Sequence, residues 1–236
     1  MRPQNTRFNP TCDGNLHLGH AYLALVNEYE AHRAGGKFIV RFDDDQEYWR
    51  WKIGPVETEA IKQGMMEDLY WLGIKADAWV SQDQDDDVDG FLDAVMGIKL
   101  NKTMGIREQF YPDEIPEIVG AAYTPYPYVP HITARKVAMD FLEGINLVIR
   151  GVDLIDEWAL YTHFCHQWGI PAPRQVFLPR LTISGKELRK SDGNFFSVRE
   201  NRETGTTAGM FRNLLAQTCL INPAGPWSIE NVRPNL

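Results

Sequence analysis

The chain of 236 residues is 44% hydrophobic and 24% charged, and its formal net charge is −8. These values are typical of a globular protein, and no segment approaches the ~18 uninterrupted apolar residues that span a membrane. Residues 1–5 lead into no apolar run, so we expect no signal peptide. The scattered cysteines form no C-x-x-C pair, which favours a reducing cytoplasm and argues against zinc held by cysteines. Any nucleic-acid surface must be a local basic patch.

The segment from Arg7 to His20 predicts a strand, a loop and the start of a helix. It breaks at Pro10, turns soon afterwards and enters a helix over about residues 18–34. A helix N-terminus presents unpaired N–H groups and the positive end of the helix dipole, which suit a phosphate. His17 and His20 are three residues apart, so their imidazoles share one face, and Gly19 lets a ligand approach the backbone. We predict a phosphate site at this helix start.

A second strand and a second helix complete the pattern of a parallel sheet. Residues 37–42 are rich in β-forming side chains and follow two glycines that end the first helix. In such a strand–helix–strand unit, ligands lie at the carboxyl ends of the strands. The segments 11–20 and 43–45 should therefore face one crevice. A further helix is predicted over about residues 55–72, with Pro55 in its first turn.

The rest of the chain begins with a segment that lacks clear periodicity. Residues 74–130 contain several glycines and prolines, and we interpret them as an insertion in which the acidic run 83–89 is a solvated loop. Regular patterns then return. They predict, in order, a helix at 136–143, a strand at 145–151, a helix at 156–168, a strand at 175–181 and a helix at 209–218.

Three blocks of sequence occur in an order that is specific when they are taken together. The first runs from Arg7 to Arg41 and contains His17-Leu18-Gly19-His20, the second runs from Val148 to Pro173, and the third is Glu187-Leu188-Arg189-Lys190-Ser191. The blocks resemble class I aminoacyl-tRNA synthetases of the glutamyl and glutaminyl type. In that comparison the first block stands at the HIGH motif and the third at the KMSKS motif.

This resemblance implies an α/β fold with a Rossmann-type parallel sheet, an inserted subdomain and a short C-terminal helical part. It divides the chain into two halves of a catalytic domain (1–73 and 131–197), an insertion (74–130) and a stem-contact-like segment (198–236), with no anticodon-binding domain. It also implies that an amino acid is activated as its adenylate by ATP with Mg²⁺ and is passed to the acceptor end of a tRNA. We expect a cytoplasmic monomer that does not contact a membrane.

The resemblance also implies roles for individual residues on the nucleotide side. The catalytic residues are His17, His20 and Lys190. The ATP-binding residues are Thr11, His17, Gly19, His20, Gly151, Lys190 and Ser191. Imidazole N–H groups can donate to phosphate oxygens, and Lys190, in a loop with glycines at both ends, can reach the departing pyrophosphate.

On the amino-acid side, the implied pocket residues are Arg7, Asn9, Thr11, Asp43, Ile132 and Arg150. Asp43 matches the glutamate with which the family binds the α-ammonium group. Arg7 and Arg150 form a pair suited to bidentate capture of a carboxylate, which favours glutamate or a related amino acid. The alternative is that both arginines are structural ion-pair partners of Asp43 or Asp44.

Several departures from the family pattern leave other functions open. Asp43 is one methylene shorter than the family's glutamate, Ile132 stands at a tyrosine position, and Glu187 stands at the first lysine of KMSKS. The end at Leu236 is similar to stand-alone glutamyl-Q-tRNA(Asp) synthetases, but residues 74–130 contain no cysteine, so we predict no zinc. The alternatives are a ligase with a non-tRNA acceptor, a degenerate paralogue that binds nucleotide or a partner, and a plain nucleotidyltransferase.

Overall fold

The computed structural model describes residues 2–44, 54–82, 86–96, 129–179, 181–183, 186–187 and 197–220. The chain forms two compact units. The first contains Met1–Asp83, Val148–Val152 and Gln175–Leu236, and the second contains Gln84–Leu147 and Asp153–Arg174. In the part of the chain that the structure describes, no helix has both the length and the apolar character needed to cross a bilayer.

The first unit is built on a three-stranded parallel sheet in the order β1-β2-β3. The strands are β1 (Thr6–Phe8), β2 (Phe38–Phe42) and β3 (Ala78–Ser81). All five residues of β2 are buried, as expected for the central strand of a sheet covered on both faces. The parallel βαβ pattern predicted for this part of the sequence is confirmed.

Two helices connect these strands. Helix α1 (Leu18–Arg33) ends before Gly35, whose φ of 68° suits a residue without a side chain. Helix α2 (Pro55–Trp71) has proline at its first position, where the missing N–H costs no hydrogen bond. Both helices agree with the predicted ranges. The buried face of α2 includes the fully buried Met65 and Leu69.

The other strands in the described part of the first unit form two short pairs. Strand β4 (Leu147–Gly151) pairs with β5 (Arg174–Leu178), and β6 (Thr182–Ile183) pairs antiparallel with β7 (Lys186–Glu187). Two helices follow, α6 (Val198–Glu203) and α7 (Ala208–Leu220). Strands β4 and β5 and helix α7 correspond to predicted elements, whereas α6 was not predicted.

The sheet extends further along the chain than the sequence indicated. Strand β3 begins at Ala78 and pairs with β2, with Ile39 opposite Ala78. It therefore lies inside the segment 74–130 that the sequence analysis assigned to an insertion. Four residues were too weak a signal, because all four are half-buried and the strand shows no alternation between a buried and an exposed face.

Within its described residues, the second unit contains three helices: α3 (Asp86–Met96), α4 (Val129–Leu142) and α5 (Glu157–Gln167). Helix α4 packs against both of the others. Polar contacts add to this packing, since Arg135 pairs with Asp89 and the Tyr161 hydroxyl donates to Asp140 at 2.8 Å. The interpretation of residues 83–89 as a solvated loop is wrong from Asp86 onward. These residues begin α3, and the charge of Asp89 is compensated by Arg135.

Candidate active site

The segments that follow β1 and β2 run side by side beyond the carboxyl edge of the sheet. Thr11 and Asp43 form a parallel bridge, in which Asp43 N–H donates to the Pro10 carbonyl at 2.9 Å and Cys12 N–H donates to the Asp43 carbonyl at 3.2 Å. The predicted meeting of these two segments is confirmed. Thr11 and Asp43, both assigned to the site from the sequence, are thereby held in fixed register.

Asn9 joins the same edge through its amide group. Its Nδ2 donates to the Arg41 carbonyl at 2.9 Å, next to the end of β2. Its Oδ1 is buried and has no hydrogen-bond partner among the described residues. A buried amide oxygen that is not satisfied costs free energy unless a ligand or water donates to it. Asn9 therefore offers an oriented acceptor at this edge.

Asp44, the carboxylate next to Asp43, contacts two neighbouring elements. Asp44 accepts hydrogen bonds from Ser81 Oγ at 2.7 Å and from Gln82 N–H at 2.9 Å, and its Oδ2 lies 3.1 Å from Lys62 Nζ. It thereby ties the end of β2 to the end of β3 and to α2. These contacts give Asp44 a structural role that the acidic run alone did not reveal. Asp45 lies outside the described residues.

Cys12 lies beside these carboxylates and is fully buried. Its burial, together with the negative charges of Asp44 and Asp43, raises the pKa of the thiol far above its ordinary value. Since the thiolate is the nucleophilic form of cysteine, Cys12 is held inert.

Helix α1 starts with its two histidines stacked on each other. His17 is the N-cap, and its Nδ1 accepts a hydrogen bond from Gly19 N–H at 3.1 Å. His17 N–H in turn donates to His20 Nδ1 at 3.4 Å. The ring centroids are 3.8 Å apart, with an interplanar angle of 21°. A nitrogen that accepts carries no proton, so each ring, when neutral, has its proton on Nε2 as a donor.

Gly19 is needed for this arrangement because of the space that it leaves. A Cβ atom at this position would lie 3.0 Å from Cε1 and 3.1 Å from Nδ1 of His17. The ring of His17 would have to shift to accommodate even an alanine. The sequence indicated that a ligand approaches the backbone at Gly19, and the structure adds that the His17 ring already lies against it.

A distant segment reaches the start of α1. Ser197 and His17 form an antiparallel bridge, and Val198 N–H donates to the Leu16 carbonyl at 2.8 Å. Lys190 and Ser191, assigned to the site from the sequence, lie between β7 and this bridge, outside the described residues. The contact at Ser197 was not predicted, because nothing in the local sequence marks it.

The two arginines assigned to the amino-acid pocket are both buried in the first unit. Arg7 lies in β1 and Arg150 lies in β4, one residue before Gly151. Asn27 of α1 connects these strands, since its backbone carbonyl accepts from Thr6 Oγ1 at 2.8 Å and its Nδ2 lies 3.3 Å from the Ile149 carbonyl. Asn27 is fully buried, and sequence reasoning missed it because it stands among apolar helix residues.

Ile132, the remaining candidate, lies on α4 in the second unit and is half-buried. Among the described residues, no group of three or more histidine, cysteine, aspartate or glutamate side chains is placed to hold a metal ion.

Comparison with solved structures identifies the class of fold. Glutamate-tRNA synthetase from Elizabethkingia anophelis superposes with a TM-score of 0.60 at 20% identity, covering 83% of this chain and 54% of that one. Tyrosyl-tRNA synthetase from Archaeoglobus fulgidus, solved with L-tyrosine, gives 0.63 at 16% identity, with coverage of 84% and 62%. The fold is the Rossmann-type α/β fold of class I synthetase catalytic domains.

Sequence comparison shows which proteins the N-terminal part resembles. Residues 4–98 match the family model for the catalytic domain of class I tRNA synthetases (E and Q). The chain is 44% identical over 72 residues to cytoplasmic glutamate–tRNA ligase of Saccharomyces cerevisiae, and 41% identical over 76 residues to glutamate–tRNA ligase of Methanocaldococcus jannaschii. These segments are 30% and 32% of this chain but only 9% and 12% of those relatives. This part of the chain is similar to the catalytic domains of class I tRNA synthetases of the glutamyl and glutaminyl type.

Proposed function

We propose that this protein activates an amino acid, glutamate or a close relative, with ATP and passes the acyl group to a tRNA. One observation carries the proposal: two stacked imidazoles at the start of α1 lie next in sequence to a strand-end segment that is bridged to Asp43. On this proposal, the donors for a phosphate and the acceptor for an ammonium group share one edge of the sheet. The family of residues 4–98 supports the same assignment.

In the activation step, a carboxylate oxygen of the amino acid attacks the α-phosphorus of ATP. The bond from that phosphorus to the bridging oxygen of the β-phosphate breaks, and pyrophosphate leaves with the electron pair. The Nε2–H groups of His17 and His20 and the N-terminus of α1 would stabilise the charge that develops on the phosphate oxygens. Thr11, Gly19 and Gly151 would shape the nucleotide site, while Lys190 and Ser191 would bind the pyrophosphate.

The amino acid would be oriented by groups at the same edge. The Asp43 carboxylate would hold the α-ammonium group, and the Asn9 amide oxygen offers a second acceptor close by. Arg7 and Arg150 would bind a side-chain carboxylate, which is the reason to propose glutamate. Fixing both reactants in this way accounts for much of the rate enhancement expected of such an enzyme.

Mg²⁺ would enter this reaction with the nucleotide. The described residues do not form a carboxylate cage for the ion, and Mg²⁺ in nucleotide sites is commonly held by phosphate oxygens and water. It would supply charge neutralisation on the phosphates. The residues of this chain would contribute by binding and positioning the ATP and the amino acid.

A second candidate acceptor is a small molecule or a peptide in place of tRNA. The formal net charge of −8 favours this variant, because a tRNA acceptor end carries a dense negative charge that basic surfaces attract. Activation is the same in both variants. The second step also follows the same chemistry: an acceptor oxygen or nitrogen attacks the acyl carbon, AMP leaves, and the acceptor's proton is released.

The direct test is ATP–pyrophosphate exchange with a panel of amino acids, with and without unfractionated tRNA. Exchange with glutamate or a close relative is the expected result, and absence of exchange with every amino acid in both conditions would rule out activation. Charging of radiolabelled amino acid onto total tRNA then separates the two acceptors. Exchange without charging would favour the small-molecule or peptide acceptor.

A further inference from the structure

A cluster of charged side chains joins α6 to α2, away from the site described above. Both Nη1 and Nη2 of Arg202 donate to Glu67 Oε2, at 3.2 and 3.1 Å, and Arg202 Nε lies 3.3 Å from Asp68 Oδ1. Glu67 is half exposed, whereas Asp68 is completely buried. Exposed ion pairs contribute little to stability, but an arginine beside a buried carboxylate compensates a charge that is costly when left alone.

A glycine in α2 makes room for a second arginine of α6. A Cβ atom built on Gly64 would lie 1.3 Å from Nη2 of Arg199, so any larger residue would displace the guanidinium group. Glycine inside a helix is disfavoured by about 1 kcal/mol relative to alanine. The structural reason for Gly64 is therefore that Arg199 lies directly against the backbone of α2.

Helix α6 contacts the start of α1 at its other end. Ser197 caps α6, with its Oγ accepting from Glu200 N–H at 3.4 Å, and the same residue is bridged to His17. Val198 is completely buried and donates its N–H to the Leu16 carbonyl. A helix of six residues is too short to be stable alone. Its position is therefore set by α2 on one side and by the segment before α1 on the other.

We propose that Arg202 and Arg199 are positioning residues for the start of α1. By fixing α6 on α2, they hold Ser197 and Val198 against Leu16 and His17, and so fix the His17 cap and the stacked imidazoles. The inference rests on the proposed function only in its final consequence, the binding of ATP phosphates by those imidazoles. Its structural part, the coupling between α6 and the first turn of α1, can be tested without any substrate.

The key variant is Arg202→Gln, and Arg33→Gln is its matched control. Arg33 also pairs with a buried carboxylate, since its Nη2 lies 2.6 Å from Glu30 Oε2, but this pair lies at the far end of α1. Backbone hydrogen exchange is measured over residues 14–22 and 197–203. In Arg202→Gln we expect both segments to exchange roughly fivefold to tenfold faster, as local protection is reduced. In Arg33→Gln both segments should exchange as in the wild type.

A second variant separates positioning from general destabilisation. Replacing Arg202 alone leaves the charge of Asp68 buried without its nearest compensating arginine, so the double variant Arg202→Gln with Asp68→Asn removes that charge as well. We expect it to recover stability towards unfolding while residues 14–22 still exchange faster than in the wild type. Arg202→Lys, which keeps the charge but not the forked donors, should give an intermediate exchange rate.

Two results would overturn the proposal. One is that Arg202→Gln speeds hydrogen exchange at 197–203 but leaves residues 14–22 exchanging as in the wild type. The other is that hydrogen exchange is unchanged in both segments. If activation is present, Arg202→Gln should also raise the KM for ATP more than the KM for the amino acid. The two proposals can fail separately. If Arg202→Gln speeds hydrogen exchange in both segments while the wild type shows no ATP–pyrophosphate exchange, the proposed function is rejected and the positioning of α1 by α6 is supported.

Discussion

The imidazole rings of His17 and His20 stack with centroids 3.8 Å apart, and the Nδ1 atom of each accepts a backbone N–H of the first turn of α1. Each ring therefore has a structural function at Nδ1 and can act as a donor at Nε2. The cap and the proposed phosphate contact use different atoms of one side chain. Substitutions that keep the capping acceptor and remove the Nε2 donor can therefore separate the two roles.

The first prediction concerns His17→Asn and His20→Gln. Asparagine is a strong N-cap residue, and glutamine at the third helical position can return a hydrogen bond to the N-cap backbone, so both variants retain capping. We expect the free energy of unfolding to stay within about 1 kcal/mol of the wild type. ATP–pyrophosphate exchange should fall about 10²- to 10³-fold for each, because one donor to the developing charge is lost.

His17→Ala provides the comparison for this pair. It removes the cap and the donor together, so it should lose both stability and activity. If His17→Asn retains full activity, the imidazole of His17 has only a structural role.

The second prediction is that Gly19→Ala separates stability from activity in the same way. Alanine favours helix over glycine by about 1 kcal/mol, but displacing the His17 ring weakens the N-cap by a similar amount, so we expect little change in the free energy of unfolding. Its Cβ would nevertheless press on the His17 ring from 3.0 Å, displacing the Nε2 donor. We expect a raised KM for ATP in the exchange assay. A variant with higher stability and an unchanged KM would show that the ring adapts without consequence.

The third prediction distinguishes the neighbouring carboxylates. Asp43→Asn should raise the KM for the amino acid about 10- to 100-fold, the effect of losing a charged hydrogen bond, with little change in the KM for ATP. Asp44→Asn should instead lower the free energy of unfolding by about 1–3 kcal/mol, because Asp44 accepts from Ser81 and Gln82 and pairs with Lys62. Equal effects of both variants on KM would contradict this division of roles.

Elements with strong local signals could be predicted from the sequence. Helix α1 has its motif at the start and glycines at the end, β2 is a run of β-forming residues, and α2 begins at a proline. Helix α6 has no such signal, since its six residues include one apolar side chain, Val198. It is held by contacts such as that between Arg202 and Glu67, which are 135 residues apart. Contacts of that separation cannot be inferred from periodicity.

In the candidate site, too, local features could be predicted from the sequence and long-range contacts could not. The pair His17 and His20 could be placed at a helix start because capping is local. The difference between Asp43 and Asp44 depends on Ser81 and Lys62, which are distant in the sequence and meet Asp44 only in the fold. The sequence assigned a site role to Asp43 by resemblance, whereas the structural role of Asp44 became visible only through its partners in the fold.

The fourth prediction concerns the two buried cysteines, Cys12 and Cys165. Burial, with the charge of Asp140 adding to it, raises the pKa of Cys165 to about 11, and the pKa of Cys12 is also raised, by burial and by Asp44 and Asp43. Neither thiol should be alkylated by iodoacetamide at pH 8 in the folded protein, and both should react in urea. Peptide mass spectrometry measures this directly. Rapid labelling of Cys12 in the native state would contradict its complete burial.

The fifth prediction is a pH dependence that originates at Asp68. Burial raises the pKa of this carboxyl from 3.8 to about 6, although Arg202 and Arg199 oppose the shift. The folded state thus binds the proton more tightly than the unfolded state. The contribution of Asp68 to the free energy of unfolding is complete below pH 3.8 and is lost as the pH rises through about 6.

Urea denaturation of the wild type and Asp68→Asn at pH 5, 6 and 7 tests this sign. Relative to the wild type, the variant should gain stability as the pH rises, by on the order of 1–2 kcal/mol over this range. Glu67→Gln is the control: its partner Arg202 holds the pKa of Glu67 below the ordinary value through a hydrogen bond. Stability linked to Glu67 is therefore lost only at lower pH, so this variant should run parallel to the wild type between pH 5 and 7. A difference between wild type and Asp68→Asn that does not change with pH would show that Asp68 is ionised throughout and fully compensated by its arginines.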